Sequence, residues 1–279
     1  MKPRPPVALT IAGSDCSAGA GIQADLKTFL DHGVHGLSVV SCVVAETPLE
    51  VSHIEEVSAS SLEAQLKILT DSYPIHAAKT GLLPSAASIG TIVEILKKTE
   101  ITLVVDPVMI ASTGTSLSAK GTLAAMTRQL LPLTSLITPN IPEAEALLGR
   151  PIRSEGELEP AARDIAQHFK VSCLLKGGHL PGTSQRLDIL WHQDKAHHFS
   201  HPYINMPQGI HGTGCTLSAA ITAGLSHGKE MPDAVAAAIA YLQCLIHSSQ
   251  WWGDGDESIR CLGWQSTRDS YPADPTRLG

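Results

Sequence analysis

The sequence predicts an α/β fold: a mostly parallel central sheet flanked by helices on both faces. Three observations predict it. Short apolar runs alternate with helical patterns of ten or more residues, which calls for right-handed crossovers between parallel strands. The run over residues 37–45 is apolar almost throughout, as in a strand covered on both faces. No linker, low-complexity stretch or internal repeat divides the 279 residues. One domain is therefore expected over residues 1–249, followed by an irregular tail over 250–279.

Val7-Ala8-Leu9-Thr10-Ile11-Ala12 is a β-branched run closed by Gly13, the pattern of a buried strand. After a glycine-rich loop, Ile22, Leu26, Phe29 and Leu30 recur at helical spacing over residues 22–32, and Gly33 supplies the stop. The strand at 37–45 follows. Ser60 with Glu63 reads as a capping box for a helix over 61–71. Residues 75–80 are strand-like, and Pro84, at a first-turn position, opens a helix toward Lys98. Residues 101–105 form a strand, 119–131 a helix and 136–138 a strand, and Pro142 starts a short helix ending at Gly149. A helix over 157–169 and a strand over 171–175 continue the alternation, with shorter extended pieces at 187–191 and 196–199. Two helices rich in small residues, about 213–225 and 233–247, close the domain.

Composition removes several classes of function. Twenty Lys plus Arg against 27 Asp plus Glu give a net charge of -7, which argues against a broad nucleic-acid or anionic-membrane surface. No apolar run reaches the roughly 18 residues of a membrane helix, and the stretch over 7–13 is too short for a signal-peptide core. A soluble cytoplasmic protein is expected. Six scattered cysteines with no CxxC pair argue against a disulfide framework. The thirteen histidines show no metal-ligand spacing, and His197-His198 with His201 reads as a polar turn.

Ligands of a doubly wound sheet bind beyond the carboxyl ends of its strands, so the loops after strands carry the candidates. Gly209-Ile210-His211-Gly212-Thr213-Gly214-Cys215 leads straight into a helix. Its glycines turn backbone N–H groups toward one point and the helix start adds positive charge, which suits a phosphoryl group; the same glycines also suit a tight turn. Cys215 in the first helical turn is expected to have a lowered thiol pKa. The loop Gly13-Ser14-Asp15-Cys16-Ser17-Ala18-Gly19-Ala20-Gly21 has neither the GxGxxG nor the GxxxxGK[ST] spacing, so a dinucleotide fingerprint and a P-loop are both absent. Asp25 is placed either to orient a hydroxyl or to favour the helix start. Asp106 ends one strand, and Asn140 and Glu143 follow another: hard oxygen groups compatible with Mg²⁺, or equally a turn residue and a helix-start charge. Lys176-Gly177-Gly178-His179 closes a further strand with a cation. Together these are the parts of phosphoryl transfer.

The runs LTIAGSDCSAGAGIQADLKTF, VVDPVM, LITPNIPEAEALLG, LLKGGHL and HGTGCTLSAA, in this order across residues 7–228, strongly resemble the hydroxymethylpyrimidine/phosphomethylpyrimidine kinases of thiamine biosynthesis, within the ribokinase superfamily. The resemblance implies a ribokinase-like three-layer sandwich. It also implies two successive ATP-dependent phosphorylations of 4-amino-5-hydroxymethyl-2-methylpyrimidine, with Mg²⁺, and a homodimer. Carried over by position, it assigns Gly13, Ala20, Asp25 and Val108 to the pyrimidine pocket, with Glu46 and Leu82. Asp106, Asn140 and Glu143 fall near the metal and phosphates, Asp106 and Glu143 as metal ligands, and Lys176 faces ATP. Gly212, Thr213 and Gly214 form the anion hole, and Cys215 takes the catalytic-base position.

Two positions depart from the family pattern. Glu46 stands where glutamine is usual and Leu82 where methionine is usual. An ionised Glu46 is acceptor-only, whereas an amide both donates and accepts. Cys215 stands where ribokinase-like sugar kinases and most pyridoxal kinases have Asp. The second acceptor is a phosphate monoester that is mostly dianionic at neutral pH, its second pKa being about 6. A thiol can stay neutral beside it where a carboxylate would repel it. A vitamin B6 kinase on the same scaffold and an inactive pyrimidine-binding protein are the alternative readings.

Overall fold

The computed structural model describes residues 4–109, 119, 121–178, 185–202, 204, 210–252 and 258–264. Strand β1 (Val7–Asp15), helix α1 (Gly21–Asp31), β2 (His35–Glu46), β3 (Val51–Glu56), α2 (Ala59–Ser72), β4 (Ala77–Thr80), α3 (Ala86–Leu96) and β5 (Thr102–Val105) form the first half. There follow α4 (Thr122–Ala125), β6 (Leu136–Ile137), α5 (Ile141–Leu148), α6 (Leu158–Phe169), β7 (Ser172–Leu175), β8 (Gln185–His192), β9 (Lys195–Pro202), α7 (Thr213–Ser226), α8 (Met231–His247), β10 (Gln250–Trp252) and β11 (Ile259–Cys261).

Among the described residues, nine strands form one sheet in the order β3-β2-β1-β4-β5-β6-β7-β8-β9. Neighbours from β2 to β7 run parallel. The margins are antiparallel: β3 against β2, and β8 and β9 beyond β7. Chain order reverses between β1 and β4, the switch point at which such sheets open a crevice.

Both faces are covered, and the period of two along the strands divides the core. Leu9, Ile11, Leu103, Val105 and Ile137 pack with Leu62 and Leu66 of α2, Ile89 and Ile92 of α3, and Ala162 and Ile165 of α6. Val104, Leu136 and Leu174 face the other way, onto Leu217 and Ile221 of α7 and Val235 and Ile239 of α8. Ala8 meets Phe29 of α1 and Ala219 and Ala223 of α7. Small residues on α7 let it lie close to α1 and the sheet. That seats its N-terminus at the carboxyl edge of the strands. No helix among the described residues is long and apolar enough to cross a membrane.

Several boundaries differ from the sequence expectation for local reasons. The α2 cap is Ser58, whose side chain accepts from the Ser61 N–H, two residues before Ser60. Pro84 precedes the α3 cap, Ser85, which forms a reciprocal box with Ser88. The helix expected over 119–131 begins at Thr122 and gives way to a widened π turn at Met126–Leu130 and a 3₁₀ turn at Leu131–Leu133, where Pro132 has no N–H to continue the ladder. His197, His198 and His201 lie on strand β9 rather than in a turn. Residues 250–261, expected to be irregular, include an antiparallel pairing of β10 with β11; residues 265–279 lie outside the described residues.

Candidate active site

A cavity of about 660 Å³ opens along the carboxyl edge of the sheet. It is walled by the ends of β1 (Gly13), β2 (Val44, Glu46), β5 (Asp106), β6 (Asn140) and β7 (Lys176), and by the start of α7. Of the residues singled out in the sequence, Gly13, Ala20, Glu46, Leu82, Asp106, Val108, Asn140, Glu143, Lys176 and Gly212-Thr213-Gly214-Cys215 all line it. Gly209 and His179 lie outside the described residues.

Gly212 caps α7 at φ 82, and the Thr216 N–H makes the first helical bond to its carbonyl. The N–H groups of the turn between them have no intrahelical acceptor and face outward with the positive end of the helix. A β-carbon on Gly212 would fall 1.8 Å from the Gly19 carbonyl oxygen, so only glycine lets this loop close on the β1–α1 loop. Gly21, at φ 56 and packed on the Gly13 carbonyl, starts α1 under the same constraint.

The β1–α1 loop is tied together by Asp15. Its carboxylate accepts from the N–H groups of Ser17, Gly19 and Ala20, the Ser17 hydroxyl and His211 Nε2, at 2.7–3.1 Å. Burial raises its pKa, but these bonds from His211, Ser17 and the backbone outweigh it and hold the carboxyl at about 2. His211 thus links the two glycine-rich loops, and its Nε2 lies 3.9 Å from Glu46 Oε2. Burial, aided by Asp15 and opposed by His211, moves the Glu46 carboxyl above the ordinary carboxylate range.

On the other side of the helix start, Lys176 Nζ lies 3.3 Å from Asp106 Oδ1, and Asp106 also accepts from Thr138 Oγ1 and Ser218 Oγ. Asn140 and Glu143 form a reciprocal cap on α5, Asn140 Oδ1 accepting from the Glu143 N–H and Glu143 Oε2 from the Asn140 N–H. The turn residue and the candidate ligand are therefore the same side chains. Burial, with Asp106 adding repulsion and Lys176 opposing it, pushes the Glu143 carboxyl up to about 7.

Two expectations are corrected. Asp25 does not reach the cavity. It is fully buried behind the wall, accepting from Thr10 Oγ1 at 2.6 Å and from Lys79 Nζ at 2.7 Å. The Cys215 thiol is not lowered by its helix: burial pushes it up to about 12, against the nearby Lys79 ammonium, because desolvation of a thiolate outweighs a half-charge dipole. The sequence reading also missed Asp15, Lys79, His211 and the Asp188–His201–Gln243 chain at the far end of the cavity, where His201 Nε2 lies 3.2 Å from Asp188 Oδ2 and Nδ1 lies 3.1 Å from Gln243 Nε2. A lysine beside two alanines in the short buried strand Ala77–Thr80 was a usable signal.

A helix start with free N–H groups, set beside an ammonium and two carboxylates at the edge of a ribokinase-like sheet, offers the groups that phosphoryl transfer uses, as in small-molecule kinases of this fold. Residues 15–260 match the family model described as phosphomethylpyrimidine kinase. The chain belongs to that family.

The chain is 38% identical over 271 residues to the hydroxymethylpyrimidine/phosphomethylpyrimidine kinase of Rhizobium meliloti, covering 89% of this chain and 99% of that protein. A longer relative in Schizosaccharomyces pombe matches at 41% identity, with 47% of its length covered. Among solved structures, an ADP complex of Bacillus subtilis pyridoxal kinase aligns with TM-score 0.84 at 32% identity, covering 94% of this chain and 98% of the other. The phosphomethylpyrimidine kinase of Clostridium difficile 630 aligns with TM-score 0.75 at 37% identity, covering 85% and 97%.

Proposed function

We propose that this chain uses ATP to phosphorylate the hydroxymethyl group of 4-amino-5-hydroxymethyl-2-methylpyrimidine, and then phosphorylates the resulting monophosphate to the diphosphate, as a homodimer in the cytoplasm. The observation that carries the reading is the pairing of the 212–215 amides with a thiol that stays neutral. The amides stabilise charge on the migrating phosphoryl group, and an uncharged neighbour admits both a neutral alcohol and a dianionic phosphate. Identity to pyrimidine kinases over nearly the whole chain favours this ring over a B6 vitamer.

Gly13, Ala20, Val44, Leu82 and Val108 give the acceptor ring a mostly apolar wall, and Glu46 gives it one polar contact. In the loose transition state of phosphoryl transfer, bond breaking to the leaving oxygen runs ahead of bond formation to the acceptor, which need not be ionised beforehand. A thiol titrating at about 12 therefore serves to orient the acceptor rather than to strip its proton first. The bond from the γ-phosphorus to the ADP oxygen breaks as the bond to the acceptor oxygen forms, and the hydroxyl proton, made acidic by that new bond, passes to solvent. A β-carbon on Gly214 would stand 3.6 Å from Lys176 Nζ, so the ammonium meets the phosphate oxygens beside the loop amides.

The donor set fits Mg²⁺. Asp106 and Glu143 put two carboxylates against one ammonium at the cavity wall; Glu143 is raised chiefly by burial, with Asp106 adding to it, and a bound cation would draw it back to the charged form. They are the residues that would hold the ion. When bound, it would neutralise charge on the donor phosphates.

The test compares ADP release with the pyrimidine alcohol and with pyridoxine under saturating Mg-ATP. A kcat/KM for the pyrimidine exceeding that for pyridoxine supports the reading. The reverse order assigns the chain to the vitamin B6 kinases, and no ADP release with either leaves a binding protein.

A further inference from the structure

One buried charged pair has no part in the chemistry above. Lys79 on β4 and Asp25 on α1 are both fully buried, with Nζ 2.7 Å from Oδ1. Thr10 on β1 completes the carboxylate's contacts. Such a pair is weak evidence for stability, because well-packed apolar residues of similar volume usually do as well or better. Its presence in the middle of a parallel sheet therefore calls for another role.

The ammonium supplies one. Lys79 Nζ also lies 3.5 Å from the carbonyl oxygen of Cys215, in the first turn of α7. That carbonyl shares a peptide unit with the N–H of Thr216, which donates to the Gly212 carbonyl at 2.9 Å. The Gly212 carbonyl in turn shares a peptide unit with the N–H of Thr213, at the mouth of the anion loop. A cation at one end of such a chain polarises each peptide in the same sense, and the positive end emerges at Thr213.

We propose that Lys79 is a positioning residue for phosphoryl transfer: its ammonium, anchored by Asp25, polarises and orients the first turn of α7 so that its amides meet the migrating phosphoryl group. The inference rests on the kinase reading and extends it to residues that touch neither substrate nor nucleotide. It also gives Asp25 a task behind the wall of the cavity, where the structure puts it.

The test is the double variant Lys79→Met/Asp25→Leu, which removes both charges and restores an apolar interior, so that stability and catalysis separate. Its thermal midpoint is expected to match or exceed that of the wild type. Its kcat is expected to fall by about tenfold or more, with KM for pyrimidine and for ATP within about threefold. A kcat within about twofold of the wild type in a folded double variant overturns the inference. Wild-type turnover in the same assay is the control: its absence sinks the kinase reading instead.

Should the double variant not fold, Asp25→Asn, which keeps the volume, carries the test through its pH profile. The charged or titratable groups facing Lys79 are Asp25 on α1, Cys215 on α7 and Asp106 at the end of β5. With Asp25 neutralised, burial favours the uncharged amine, so kcat should fall as pH rises, where the wild type stays level. Parallel profiles would overturn the inference.

Discussion

The β-carbon that Gly212 lacks would stand 1.8 Å from the carbonyl oxygen of Gly19, so the loop before α7 and the loop after the first strand are closed on each other at van der Waals contact. This closure brings Gly13, Glu46 and Leu82 into one cavity with the start of α7. The φ of 82 at Gly212 adds a second reason that no larger residue fits.

Gly212→Ala must open this contact and turn the amides away from the phosphoryl group. A loss of about 100-fold in kcat is expected, the scale of removing one preorganised donor, with the fold retained by circular dichroism. Near wild-type turnover would show that the amides do not face the reaction.

Cys215 is held neutral by burial, its thiol at about 12. Alkylation of Cys215 by iodoacetamide, followed by peptide mapping, should be slow at neutral pH and climb through the alkaline range without a plateau. A plateau below about pH 8 would mean a stabilised thiolate. Cys215→Asp installs a fixed charge next to the acceptor, so phosphorylation of the monophosphate should suffer by about tenfold or more beyond any loss in alcohol phosphorylation. Equal losses in both steps would contradict the account.

Glu46 lines the cavity with its carboxyl raised, chiefly by burial. Only the protonated form can donate to a ring nitrogen while accepting from the exocyclic amine. The pyrimidine KM of the wild type should therefore rise as pH increases and the carboxyl ionises. Glu46→Gln should lower that KM and make it independent of pH, leaving the KM for ATP unchanged. A KM that rises on substitution would point to a different ring.

Asp15 organises its loop as a carboxylate, titrating at about 2 against an ordinary 3.8. A lowered folded-state pKa stabilises above the unfolded value, and the stabilisation fades as pH falls from about 4 toward about 2. Asp15→Asn should be less stable than the wild type at pH 7 by urea denaturation, with the gap closing in acid. A gap that persists at low pH would assign the loss to packing rather than charge.

The alternation of strands and helices was readable because each element carries its own period, and the loops after β1, β5, β6, β7 and before α7 were readable because glycine and hard oxygen residues stand at their ends. What escaped the sequence depends on contacts far apart in it. Asp25 looks like a loop-proximal acid until Lys79, 54 positions on, claims it. Local reasoning about Cys215 weighed the helix dipole, which is near in sequence, but not burial, which the whole fold imposes. Strand β3 was missed because an edge strand with polar residues on both faces has little apolar alternation, Val51 and Ile54 excepted. His201 on β9 pairs with Asp188 across a hairpin whose register no local pattern announces.

The most direct test of the central claim, that one site with a neutral thiol carries both phosphorylations, is a time course of the products formed from the pyrimidine alcohol and Mg-ATP, separated by anion exchange. The account predicts that the monophosphate rises first and is then consumed as the diphosphate accumulates, with two ADP formed per pyrimidine. Monophosphate that accumulates and goes no further, or an alcohol left untouched while ATP stays intact, would contradict it.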